Sequence, residues 1–309
     1  MASILGFGAC LPERVVTSAE LAERLGVETQ WILEACGIQE RRWAAENQSA
    51  VDLGEGAARA ALAKAGLEPL QVKGIIVGSG TPSRQFPGLS AELQKRLGCP
   101  GIPAFDVHLA SSGGFIALCL AATLCEGLGP VLVVGAEKMS EVVQRDFAKE
   151  TAILFGDGAG AAVVAPGAGP LQILDHLWGS DGAFADDLSL AFGDALRMNG
   201  RSVIMQANRK LTSTLQELLK RNGMGVPQVD LFLFHQANLN LLRQVGKTLG
   251  LDPAKVPISL DKYGNTSAAS VLIAAAVAQD DGRFRPGGLA AMAAFGAGFS
   301  WGGMLLRAR

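Results

Sequence analysis

Short apolar runs alternate with stretches of helical spacing along this chain, a rhythm that predicts buried strands joined by helices. Strands are expected over Ala2 to Gly8, Gly74 to Gly78, Pro103 to Val107, Pro130 to Lys138, Leu171 to Leu177 and Asp230 to Phe234, with two more around the C-terminal glycines. Helices are expected from Ser18, over 29–37, 50–66 and 90–97, from about Ser202 to Arg221, and over Leu239 to Leu249. Two further helical runs, Ile116 to Ala122 and Val271 to Ala278, are apolar almost all round, the pattern of helices buried between layers. Pro166 to Pro170 is the most linker-like punctuation, so a boundary is placed there, dividing the chain into halves 1–166 and 167–309 of similar rhythm.

Four segments carry candidate chemistry. In the first, a strand ends near Val107, Ser111-Ser112-Gly113-Gly114 follows, and a helix begins at once. A serine there sits at the positive end of a helix whose free N–H groups can hold an oxyanion, although Ser-Ser is also an ordinary helix cap. The second is His235-Gln236-Ala237-Asn238, where the apolar strand stops, a place for either a reactive or a core histidine. The third is the YGNTSAAS run from Tyr263 to Ser270. Its Asn265 can cap the following helix or donate its amide to a carbonyl oxygen or enolate. The fourth is the glycine-rich turn Phe295 to Gly303 between the last two strands, where backbone can approach a ligand closely.

Composition narrows the classes. With 309 residues and 49% hydrophobic content the chain can bury a substantial core, and a net charge of −2 gives no global attraction to nucleic acid or an anionic membrane. Five cysteines without CxxC spacing read as idle structural thiols in a reducing compartment, no uninterrupted apolar stretch reaches a membrane span, and a cytoplasmic location is expected. Phe155 to Ala165 lacks GxGxxG spacing and a following helix, which argues against a dinucleotide or P-loop site. No His/Cys/Asp/Glu cluster has metal-ligand spacing, so no metal is expected. Arg41-Arg42-Trp43 reads as a solvated turn, His176 as a surface or capping residue, and His108 and Ser112 as packing or capping residues.

In their order (strand–Ser–Ser–Gly–Gly–helix, HQAN, YGNTSAAS, FGxGxSWG) these motifs resemble the ketoacyl-acyl-carrier-protein synthase III group of the thiolase superfamily over essentially the full length. The resemblance implies a thiolase-like five-layered α/β/α/β/α fold of two similar halves, a homodimer, and an active site at the foot of a pantetheine tunnel. It makes His235 and Asn265 the polar catalytic residues and puts Ser111 where the family has its nucleophilic cysteine. Backbone N–H groups of Ser111 and Ala297 would form the oxyanion hole. Trp31 would stack on coenzyme A, Gly200 and Asn238 would contact pantetheine, and Phe86 and Phe295 would border the acyl pocket. Ala35, Cys36 and Asn240 depart from positions that usually hold coenzyme A or carrier-protein contacts. No permanently bound cofactor is implied; the substrates would be acyl-CoA or acyl-carrier-protein thioesters.

Serine instead of cysteine changes the chemical requirement. A thiol is partly ionised near neutrality, whereas a hydroxyl needs a general base during attack, and His235 is the candidate base. The leading expectation is an acyltransferase in which Ser111 takes an acyl group from a thioester and then condenses it decarboxylatively with a malonyl thioester. Transfer to an alcohol, amine or water, and a non-condensing, decarboxylase-like partner subunit, stay open as alternatives.

Overall fold

A computed structural model describes residues Met1–Arg309. The N-terminal half runs β1 (Ala2–Cys10), β2 (Val15–Thr17), α1 (Ser18–Leu25), α2 (Thr29–Cys36), β3 (Glu40–Arg42), α3 (Ala50–Ala65), β4 (Gly74–Gly78), α4 (Leu89–Leu97), β5 (Ala104–Val107), α5 (Gly113–Leu128), β6 (Val131–Lys138), α6 (Met139–Val143), α7 (Lys149–Ala152) and β7 (Asp157–Pro166). The C-terminal half runs β8 (Leu171–Ser180), β9 (Leu188–Ser189), β10 (Arg197–Met198), α8 (Gly200–Arg221), β11 (Leu231–Phe234), α9 (Leu239–Leu249), α10 (Leu260–Tyr263), α11 (Ser270–Asp280), β12 (Leu289–Gly296) and β13 (Ser300–Ala308).

Hydrogen bonds link nine strands in the order β11-β12-β13-β8-β1-β7-β6-β4-β5. The halves join at β1 and β8, paired only through Ser3 with Gln172 and Ile4 with Leu171. Three core clusters define the layers. One packs α3 and α4 on the first half's strands, and another packs α8 and α9 on the second's. The largest places α5 and α11 between inward-facing residues of both halves, such as Ile76 and Val133 on one side and Leu233 and Met304 on the other. The layers are therefore helix, sheet, helix, sheet, helix, as the alternation of apolar runs requires: each sheet must be covered on both faces.

α5 together with the turn before it, Ala110–Leu128, has the length and mean hydropathy, 1.4, to cross a membrane. The span of 19 residues is interrupted by Ser111, Ser112, Thr123 and Glu126, in keeping with the reading that no uninterrupted apolar stretch is that long. Its apolar surface is the central layer, however, covered by strands of both halves.

Three local expectations need correction. β5, expected to be buried, is the sheet edge and pairs only with β4, so Phe105 and Asp106 are exposed. Arg41 and Trp43 are not in a solvated turn but fully buried, Arg41 in β3. Its guanidinium donates to Ile153 O at 2.7 Å and the Ser18 hydroxyl at 3.0 Å, and burial lowers its pKa to about 10. His176 lies within β8 opposite Met304, half-buried, with Nδ1 unpartnered. All five cysteines are unpaired, and burial raises each thiol's pKa.

Candidate active site

The chain turns sharply between β5 and α5. A 3-10 turn, Ala110–Ser112, bridges them, with Ala110 at φ +42°. Gly114 then lets the start of α5 press against the other half: a Cβ there would lie 2.2 Å from Ala268 O. Ser111 stays partly accessible at this helix start. Ser112, by contrast, is buried. Its hydroxyl lies 2.6 Å from Ser300 Oγ, which donates to Ala297 O at 2.7 Å. This chain of hydroxyls ties the C-terminal turn to the serine turn, and Gly296 permits the approach, since a Cβ would lie 2.6 Å from Ser112 N.

His235 follows the last residue of β11 and is held by its N–H on Ala293 O at 2.9 Å. Its Nδ1 is in close contact with Ser270 Oγ, which also accepts the Gln236 N–H at 3.1 Å. With one lone pair occupied by Gln236, the Ser270 hydroxyl hydrogen has Nδ1 as its partner. Donation to Nδ1 satisfies every buried group, and the imidazole proton then resides on Nε2. The opposite tautomer would strand a buried hydroxyl hydrogen, at a cost of about 1–3 kcal/mol. Burial also lowers the His235 pKa to about 4, so the ring is neutral near pH 7.

Asn265 is oriented with equal definition. Its Oδ1 accepts the Ser267 N–H at 2.9 Å, and its main chain is pinned to Leu154 O and Gly156 N. Nδ2 is left as the donor for a bound group. His235 and Asn265 thus offer two N–H donors, the arrangement that stabilises an oxyanion or enolate.

Both residues, with Ser111, line one mostly hydrophobic cavity of about 460 Å³. Trp31, Gly200, Asn238, Phe295 and Ala297 line it too. Trp31 is partly exposed, with Lys149 Nζ 5.8 Å from its ring. A Cβ on Gly200 would meet nothing within 4 Å, so the fold does not demand glycine there. Asn238 caps α9, and its Nδ2 donates to Ala35 O at 3.0 Å. Phe86 is the exception: it is 83% exposed and outside the cavity.

The departures have local roles. Asn240 Nδ2 donates to Glu34 O at 2.8 Å and Ala35 O at 3.3 Å, satisfying the C-terminal carbonyls of α2. Cys36 is buried and donates to Ile32 O at 3.2 Å. His108 is exposed on the cavity rim and stacks on Phe192 at 6.3 Å.

One expected contact is missing. Ser111 Oγ has Ser267 Oγ, at 3.5 Å, as its side-chain hydrogen-bond neighbour, and not His235. A neutral imidazole with its proton on Nε2 is a donor toward the cavity rather than a ready base, so the sequence-based pairing of Ser111 with His235 is not what the resting geometry offers. Sequence reasoning also passed over Ser270 and Ser267, although both sit in plain view within YGNTSAAS.

Comparison with known proteins agrees with this architecture. The family models "3-Oxoacyl-[acyl-carrier-protein (ACP)] synthase III" and "3-Oxoacyl-[acyl-carrier-protein (ACP)] synthase III C terminal" match residues 105–182 and 219–308. Beta-ketoacyl-[acyl-carrier-protein] synthase III of Agrobacterium fabrum is 39% identical, with 98% of each chain covered; that of Rhodospirillum rubrum is 40% identical at the same coverage. The crystal structure of the 3-oxoacyl-[acyl-carrier-protein] synthase III from Aquifex aeolicus superposes with a TM-score of 0.95 at 36% identity, covering 99% of this chain and 100% of that one. The priming beta-ketosynthase of the R1128 polyketide pathway gives 0.93 at 32% identity, covering 100% and 96%. The chain belongs to the 3-oxoacyl-[acyl-carrier-protein] synthase III family, with its thiolase-like fold.

Proposed function

We propose that this protein is a ketoacyl synthase III type acyltransferase in which Ser111 receives an acyl group from a thioester and passes it to the carbanion formed by decarboxylation of a malonyl thioester. The observation that carries this reading is the meeting of Ser111, His235 Nε2–H and Asn265 Nδ2 on one apolar cavity. The hydrophobic lining suits an acyl chain, and the two N–H donors suit the enolate oxygen that appears as carbon dioxide leaves. The Ser111 and Ala297 main-chain N–H groups would hold the oxyanion of the first half-reaction. Trp31 and Gly200 would flank an arriving pantetheine arm, whether on coenzyme A or on an acyl carrier protein.

Two copies would pair along the open edge of β5, where Phe105 and the Phe86 loop are exposed, bringing Phe86 to the partner's acyl pocket. The working units would be the halves 1–166 and 167–309, the first supplying Ser111 and the second His235 and Asn265. Five unpaired thiols fit a cytoplasmic setting.

The direct test supplies acyl-CoA and malonyl carrier-protein thioesters and follows the ketoacyl product. Wild type should form it and Ser111→Ala should not; full condensing activity in Ser111→Ala would refute the assignment. A second reading, malonyl decarboxylation without acyl transfer, is favoured by one observation, the donor tautomer of His235 beside a serine without a directly bonded base.

A further inference from the structure

We propose that Ser112 and Ser300 are positioning residues for the oxyanion hole: their joined hydroxyls hold the main-chain N–H groups of Ser111 and Ala297 in register across the two halves of the chain. The inference rests on the reading that Ser111 takes an acyl group from a thioester, and it names what keeps the two backbone donors of that step in place.

The two donors have no common scaffold. Ser111 lies in the turn before α5, and Ala297 lies in the turn between β12 and β13 of the other half. Two N–H groups act on one oxygen only if each is aimed at it from about 2.7–3.1 Å. A drift of about 1 Å between the turns would spoil that aim. Backbone contact keeps the turns close, since a Cβ on Gly296 would lie 2.6 Å from Ser112 N. Closeness alone does not set direction; hydrogen bonds do.

The hydroxyl pair supplies that direction. Ser112 Oγ and Ser300 Oγ are 2.6 Å apart, Ser300 Oγ is 2.7 Å from Ala297 O, and Ser112 Oγ is 3.0 Å from Leu109 O. Two hydroxyls carry two hydrogens for these three contacts. The two shorter distances assign them: Ser112 donates to Ser300, and Ser300 donates to Ala297 O. Gly296 pairs with Ser300 on the last rung of β12 and β13, so Ala297 is held by the sheet before it and by the Ser300 hydroxyl after it. Ala297 lines the cavity, and its own N–H donates to no group of the chain. Ser112, at the other end of the tie, directly follows Ser111.

Both hydroxyls are out of reach of bulk water, with Ser112 0% and Ser300 1% exposed. Two small apolar side chains would fill the same space. What the hydroxyls add is a fixed orientation of the Ala297 peptide relative to the serine turn.

The two half-reactions use different donors, which separates positioning from mere stability. The thioester oxyanion would meet the Ser111 and Ala297 N–H groups, whereas the enolate would meet His235 and Asn265. Acylation is followed by intact mass on the full chain with acetyl-CoA and octanoyl-CoA, and carbon dioxide release with a malonyl carrier-protein thioester. Ser300→Ala and Ser112→Ala should each lower acylation at saturating donor by about 10–100-fold and leave the half-saturating donor concentration within about threefold, because the lost contact acts in the transition state. Carbon dioxide release should stay within about twofold, as it draws on the other donor pair. The double variant should be no slower than the slower single one, since the hydroxyls act as a unit. Ser300→Thr, which keeps the donor, should recover most of the rate. Equal losses in the two half-reactions would mark the pair as a structural cross-link and overturn the assignment. Undiminished acylation, losses that multiply in the double variant, or a Ser300→Thr protein of wild-type stability as slow as Ser300→Ala would overturn it too. Absence of any adduct on the wild-type chain is a separate result, which would overturn serine acyl transfer itself and the assignment with it.

Discussion

The two buried helices of the central layer begin alike and end in different service. α5 follows a 3-10 turn, Ala110–Ser112, and α11 follows another, Ser267–Ala269; each turn holds one non-glycine residue at positive φ, Ala110 and Ser267. In the first half the device leaves Ser111 open to the cavity. In the second it closes around polar groups: Asn265 is turned by the Ser267 N–H, Ser270 grips His235, and Ser267 lies buried. One backbone solution, used twice, thus presents a nucleophile in one half and orients donors in the other. The two turns meet at Ser111 and Ser267, with Gly114 at the start of α5 against Ala268, so neither half holds a complete site.

The largest effect expected on this comparison is at the open end. Ser111→Ala should abolish a covalent acyl adduct in mass spectrometry while leaving malonyl thioester decarboxylation in place. At the closed end, His235→Ala or Asn265→Ala should slow decarboxylation by about 10²–10³-fold, the typical cost of removing one oxyanion donor. An unchanged carbon dioxide release would remove these residues from the enolate site.

Next come two effects of similar size on stability. Gly114→Ala forces a methyl group into the Ala268 carbonyl and should lower unfolding free energy by about 3 kcal/mol in urea titration. The other follows pH. His235 has a folded pKa of about 4, below its unfolded value near 6.5, so the unfolded chain binds more protons between those limits. Its contribution is complete above pH 6.5 and is lost as pH falls toward 4, a total of about 3 kcal/mol. Urea midpoints at pH 7 and pH 5 should therefore fall less with acid in His235→Gln than in wild type. The smallest effect belongs to Gly200→Ala, which should change stability by under about 0.5 kcal/mol yet raise the KM for a pantetheine thioester, because its Cβ enters open space beside the cavity.

The strands were legible in the sequence where both faces are buried, because continuous apolar runs such as Val131 to Val134 have no other use. Burial that depends on distant neighbours was not legible. β5 reads like a core strand, but it has a partner on one side only, and Arg41 reads as exposed although Ser18 and Ile153, remote in sequence, accept hydrogen bonds from its terminal nitrogens in the core. Ser111, His235 and Asn265 were found through motif order, and the fold brings them to one cavity. Their working relations were hidden, since the tautomer of His235 depends on Ser270 and the neighbour of Ser111 is Ser267. Hydroxyl orientation has no trace in hydrophobic periodicity.

Whether Ser111 carries the acyl group is read from the intact mass of the protein after exposure to a panel of acyl-CoA and acyl-carrier-protein thioesters, followed by peptide mapping. A mass increase of one acyl group is expected, located on Ser111 and absent in Ser111→Ala. No adduct with any donor, from a protein that still releases carbon dioxide from malonyl thioesters, would contradict it and leave a decarboxylase in its place.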